Sequence, residues 1–80
     1  MKLPRDVTGT ELAKKLRAFG YEVTRQSGSH IRLTTKEQGE HHVTIPHHHP
    51  VRIGTLPAIL GDVADHFKTT RAEIATKLFG

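Results

Sequence analysis

The sequence predicts an α+β domain with the element order α-β-β-β-α and a short extra helix at its C-terminal end. Three observations predict it. Apolar residues recur at helical spacing in two stretches, Leu12/Leu16/Phe19 and Leu56/Ile59/Leu60/Val63/Phe67. Between them, three short segments alternate apolar and polar residues with period two. Each segment has one apolar face, so the simplest arrangement packs the helices on one side of a three-stranded antiparallel sheet and leaves the other side wet. A chain of 80 residues supports one modest core, so residues 1–80 read as a single domain.

The first helix spans residues 9–19. Thr8 and Glu11 have capping-box spacing, and Gly20 follows the last periodic residue. Glu11, Lys14, Lys15 and Arg17 fall largely outside its apolar stripe, which makes the polar side basic. The strands are Tyr21 to Arg25, His30 to Thr34 and His42 to Ile45. Ser27-Gly28 is suited to supply the positive φ angles of a tight hairpin, and Lys36 to Glu40, with Gly39, forms a polar hairpin loop. Pro46 ends the third strand because it cannot donate to a ladder. The second helix starts near Thr55, which reads as its N-cap after the break at Gly54, with Pro57 in the first turn. Gly61 within it costs about 1 kcal/mol relative to alanine and marks a place for a bend. A third helix starts at Thr70, again with Glu73 at capping-box distance and with Ile74 and Leu78 on its inner face.

Charge narrows the function. Twelve Lys and Arg against eight Asp and Glu give +4. Residues 1–52 hold nine basic and five acidic side chains, whereas residues 53–80 hold three of each, and six of the seven histidines lie in the first part. A basic first part points to a polyanion, with nucleic acid the most plausible. Arg5, Lys14, Lys15, Arg17, Arg25, Lys36 and Arg52 are candidate phosphate contacts; each alone reads as a solvated cation, but together they imply salt-sensitive binding. The absence of cysteine excludes disulfides, thiolate catalysis and cysteine-based zinc sites. No apolar run approaches the roughly 20 residues of a membrane span, and Met1 to Arg5 leads into no signal-like stretch, so a soluble cytoplasmic protein without a membrane partner is expected.

Strand parity indicates what the wet face presents. Tyr21, Val23, Ile31, Leu33, Val43 and Ile45 point to the helices; Glu22, Thr24, Gln26, His30, Arg32, Thr34, His42 and Thr44 point outward, if no bulge intervenes. Imidazole, guanidinium and hydroxyl groups suit phosphates and ribose hydroxyls, and the lack of exposed aromatic rings excludes a base-stacking platform. His30 stands out because it follows the turn Gly28-Ser29 and has Arg32 two residues on along the same face. Histidine exchanges protons near neutrality. RNA carries its own nucleophile, the 2′-hydroxyl, so one well-placed base can start strand cleavage without a metal. His30 is therefore the candidate catalytic residue, as base on the 2′-hydroxyl or acid to the leaving 5′ oxygen, with Arg32 stabilising phosphate charge. The alternative is a small non-catalytic RNA-binding domain in which His30 is one contact. His41, His42, His47, His48 and His49 resemble a metal site by number, but His41 and His42 should face opposite ways and His47 to His49 lie in a stiff loop between Pro46 and Pro50, so no metal or other cofactor is expected. His66 falls near the end of the second helix, where positive charge suits the dipole.

Taken in order, Phe19-Gly20-Tyr21, Gly28-Ser29-His30, Val43-Thr44-Ile45-Pro46 with a histidine soon after, and Gly54-Thr55-Leu56 followed by Ile59-Leu60 give a chain that resembles the HicA family of toxins, also described as HicA-type mRNA interferases. The resemblance covers about residues 8–67. It implies a double-stranded-RNA-binding-domain-like fold and a toxin of a type II toxin–antitoxin pair. Such a toxin would be an RNA endonuclease that cuts mRNA without a metal and so inhibits translation. A cognate antitoxin of the HicB family would bind it and block the active histidine. That histidine falls on His30; Gly28 and Ser29 carry over as motif residues without assigned chemistry. The RNA-binding set is then Arg32, Arg25, Lys14, Lys15 and Lys36, and the free toxin is expected to be a monomer. Two departures stand out. Many members have a second histidine where this chain has Ile31, and the segment from Asp65 to Thr70 is longer than the usual link to the last helix.

Overall fold

The computed structural model describes residues 3–4, 6–47, 51–52 and 54–80. The expectations for Arg5 as a phosphate contact, and for His48, His49 and Pro50 in the histidine-rich loop, lie outside the described residues. The element order is α1 (Gly9–Lys15) running into a 3-10 turn (Leu16–Phe19), then β1 (Glu22–Gln26), β2 (His30–Thr35), β3 (His41–Pro46), α2 (Thr55–His66) and α3 (Arg71–Phe79). The strands form one antiparallel sheet in the order β1-β2-β3. This is the α-β-β-β-α pattern with an extra helix, consistent with a double-stranded-RNA-binding-domain-like fold.

Local chemistry sets the helix boundaries. The Thr8 hydroxyl accepts from the Glu11 amide at 3.1 Å, and the Thr70 hydroxyl accepts from the Glu73 amide at 3.1 Å, so both spacings act as N-caps. At α2 the cap is Gly54, with no side-chain cap bond, and Thr55 is the first helical residue. Thr55 is thus displaced by one position from its expected capping role. The α2 helix runs unbroken through Gly61, where a methyl group would lie 3.4 Å from Cδ of Arg71.

The core lies between the helices and one face of the sheet. Leu12, Leu16, Tyr21, Leu33, Ile45, Leu60, Val63 and Ile74 are fully buried in one cluster with Ile31 and Val43. Removing that apolar area from water drives the layers together. Gly20 closes the 3-10 turn with a left-handed φ of 82°. A methyl group there would lie 2.9 Å from Oγ1 of Thr35, a buried residue whose hydroxyl donates to the Phe19 carbonyl at 2.9 Å. Gly20→Ala is therefore expected to destabilise the fold by about 1–3 kcal/mol, read as a lower urea midpoint at unchanged m-value.

Two expectations about the sheet change. Gly28 does not adopt a positive φ; the left-handed residues fall in the second hairpin, at Gln38 and Gly39. The pairing of β1 with β2 also slips. Val23 pairs with Leu33, but Arg25 pairs with Arg32 and Gln26 with Ile31, so a β-bulge sits at Thr24. Val23 was expected in the core but is 46% exposed, because β1 is an edge strand that the helices do not cover. Past the bulge parity inverts: Gln26 moves to the side of Ile31 and Arg25 to the side of Arg32.

Candidate active site on the open sheet face

Pairing between β2 and β3 is regular: His30 opposite Pro46, Arg32 opposite Thr44 and Thr34 opposite His42. Directly paired residues share a face. Ile31, Leu33, Val43 and Ile45 are buried beneath the helices, which leaves His30, Arg32, Thr44 and His42 exposed on the other side. The bulge adds Arg25 beside Arg32. Arg25, Ser27, His30, Arg32 and Thr44 line one shallow groove of about 340 Å³.

The first hairpin holds the histidine at the end of this groove. The Ser27 amide donates to the His30 carbonyl at 2.9 Å, and the His47 amide donates to the Ser29 carbonyl at 2.9 Å, which ties the turn to the end of β3. The Ser29 hydroxyl lies 3.0 Å from Nδ1 of His30. The imidazole is exposed, and among the described residues no other side chain bonds its ring. Two guanidinium groups in the same groove suit a phosphate, which they can hold by paired, charge-assisted hydrogen bonds. A proton-exchanging ring beside a bound phosphodiester can act on the neighbouring ribose.

Lys14, Lys15 and Lys36 are not among the residues that line this groove. Lys14 and Lys15 are exposed on α1, in the helix layer, and Nζ of Lys15 lies 5.7 Å from the Phe79 ring centre on α3. Lys36 is in the loop after Thr35, at the opposite end of β2 from His30. Ser27, a turn residue by its sequence context, also lines the groove, a place that nothing in its spacing indicates.

The other histidines have separate surroundings. His42 shares the open face, with Nδ1 2.7 Å from the Thr34 hydroxyl and Nε2 3.0 Å from the Glu40 carboxylate. His41 faces the helices, with Nδ1 2.7 Å from the Tyr21 hydroxyl and Nε2 3.5 Å from Asp62, and its ring stacks on His66 at 4.4 Å. His66, in the last turn of α2, donates from Nε2 to the Glu37 carbonyl at 2.9 Å. Burial, and then the Asp62 carboxylate, pushes the Tyr21 phenol up to about 12, so it remains a neutral hydrogen-bonding group at any physiological pH. His41 and His42 thus face opposite ways, and among the described residues no three His, Asp or Glu side chains converge as metal ligands. Among the described residues no helix is long and apolar enough to cross a membrane.

Comparison with known proteins adds one finding. A family model described as the HicA toxin of bacterial toxin–antitoxin systems matches residues 9–64, more than half of the chain, and includes the first hairpin and all three strands. No curated protein and no solved structure matches significantly.

Proposed function

Because the chain belongs to the HicA toxin family of bacterial toxin–antitoxin systems, we propose that it is a ribonuclease that cuts mRNA in the cytoplasm with His30 as its proton-transfer group, and so inhibits translation. The single observation that carries this is the groove itself: one exposed imidazole and two guanidinium groups on one face of the sheet. Arg32 and Arg25 hold the phosphodiester. His30 takes the proton from the adjacent ribose 2′-hydroxyl, and the 2′ oxygen bonds to phosphorus. The bond from phosphorus to the 5′ oxygen breaks, and the leaving oxygen takes a proton from solvent. The products are a 2′,3′-cyclic phosphate and a 5′-hydroxyl. The two guanidinium groups stabilise the extra negative charge that builds on the phosphate oxygens. With one proton-transfer side chain the reaction is slow for a nuclease, which is adequate for a toxin acting on a limited pool of messages. A HicB-family antitoxin would inhibit by covering the same face.

The purified protein is expected to cleave single-stranded RNA in the presence of a metal chelator. Intact RNA across pH and salt conditions would favour the non-catalytic RNA-binding alternative. Binding should weaken with salt, and Arg25→Ala and Arg32→Ala should each reduce the slope of log affinity against log salt by about 1. The same change at Lys36, at the far end of β2, should alter the slope less. A salt-independent affinity, or equal effects at all three positions, would remove the groove as the phosphate site.

A further inference from the structure

We infer that Ser29 is a positioning residue: its hydroxyl accepts a hydrogen bond from Nδ1–H of His30 and so keeps the lone pair of the neutral ring on Nε2. The inference rests on the ribonuclease reading above, and it gives a motif residue without assigned chemistry a specific role in that site.

Geometry comes first. Neighbouring residues on a strand point to opposite faces and do not normally touch through their side chains. Ser29 lies just before β2, in the turn, where its hydroxyl bends back to within 3.0 Å of Nδ1. Its position is not free to drift. The Ser29 carbonyl accepts from the His47 amide, and the hairpin is closed by Ser27 onto the His30 carbonyl, both at 2.9 Å. Among the described residues no other side chain bonds the His30 ring. Among the described residues the hydroxyl is therefore the side-chain partner through which the protein can bias which nitrogen carries the proton.

The direction of the bond follows from what the ring must do. A serine hydroxyl can donate or accept, and a neutral imidazole has one N–H. If Ser29 accepts, proton uptake at Nε2 leaves the bond in place and makes it charge-assisted, hence stronger. If Ser29 donates, the same uptake puts a hydrogen on Nδ1 against the hydroxyl hydrogen, and the hydroxyl must rotate. The accepting arrangement is already organised for the imidazolium, so no reorganisation accompanies the proton transfer. It also selects between the two roles open to His30: the lone pair on Nε2 makes the neutral ring a base toward the 2′-hydroxyl.

Imidazole nitrogen NMR on the free protein, together with steady-state cleavage of a single-stranded RNA oligonucleotide, tests this. In the wild type the neutral His30 ring is expected to carry its proton on Nδ1. Ser29→Ala should move the proton toward Nε2 and lower kcat by about 10- to 100-fold with KM little changed, while Ser29→Thr restores both the tautomer and the rate. A wild-type ring protonated on Nε2, or a Ser29→Ala ring with unchanged tautomer, would overturn the assignment, as would a loss of rate that threonine does not restore. The tautomer is measured without RNA. A protein that cleaves nothing but shows the Ser29-dependent tautomer contradicts the ribonuclease reading while leaving the Ser29 contact supported.

Discussion

Replacing His30 with alanine is expected to lower RNA cleavage by about 10²–10⁴-fold while leaving RNA affinity within about threefold of wild type. The asymmetry follows from the division of labour in the groove. In the proposed site the phosphate contacts are Arg25 and Arg32, which line the same groove and which the substitution does not touch. The proposed proton acceptor is the imidazole of His30, and among the described residues that line the groove no other histidine or carboxylate lies beside it. The side chain is exposed, so stability should change by no more than about 0.5 kcal/mol, and a thermal melt can verify that the variant is folded. In cells, expression of the wild type should arrest growth and His30→Ala should release the arrest. A variant that still cleaves at the wild-type rate would place the chemistry elsewhere. A variant that loses cleavage and RNA affinity together would reduce His30 to a contact in a binding module.

The fold was legible because its signals are local and redundant. Thr8 with Glu11, and Thr70 with Glu73, set two helix starts, and both spacings were realised as hydroxyl-to-amide caps. Alternation in β2 and β3 gave the correct inner face, because both strands are backed by helices and a one-residue slip would expose their apolar residues. That constraint is weak at β1. It is an edge strand with exposed residues throughout, so nothing in the alternation of Tyr21, Val23 and Arg25 opposes a bulge. Parity alone therefore placed Val23 in the core and left Arg25 off the open face, and both errors share one cause. The bulge is also what completes the candidate site, since it places Arg25 opposite Arg32 in the same groove. Thr55 failed as a cap for a simpler reason: the helix begins one residue earlier than the threonine signal suggested. The Tyr21–His41–Asp62 contacts and the stacking on His66 join residues far apart in sequence, where no spacing rule reaches.

Substitution in the substrate should have a still larger effect than substitution in the protein. In the proposed reaction the nucleophile belongs to the RNA, so the protein has no group to replace it. An oligonucleotide with one 2′-deoxy nucleotide on the 5′ side of the scissile phosphate should bind with an affinity close to that of the all-ribose strand, because the binding contacts proposed for Arg25 and Arg32 are to phosphate. It should not be cut at that position. The loss should be complete within detection, exceeding the 10²–10⁴-fold range typical for removal of one acid–base group.

End-group analysis of the cleavage products of matched all-ribose and singly 2′-deoxy oligonucleotides tests most directly the claim that His30 activates a ribose hydroxyl. Fragments ending in a 2′,3′-cyclic phosphate paired with 5′-hydroxyl fragments from the all-ribose strand, and an uncut bond after the deoxy nucleotide, are the expected result. Cleavage after the deoxy nucleotide, or fragments ending in a 3′-hydroxyl with a 5′-phosphate, would contradict it.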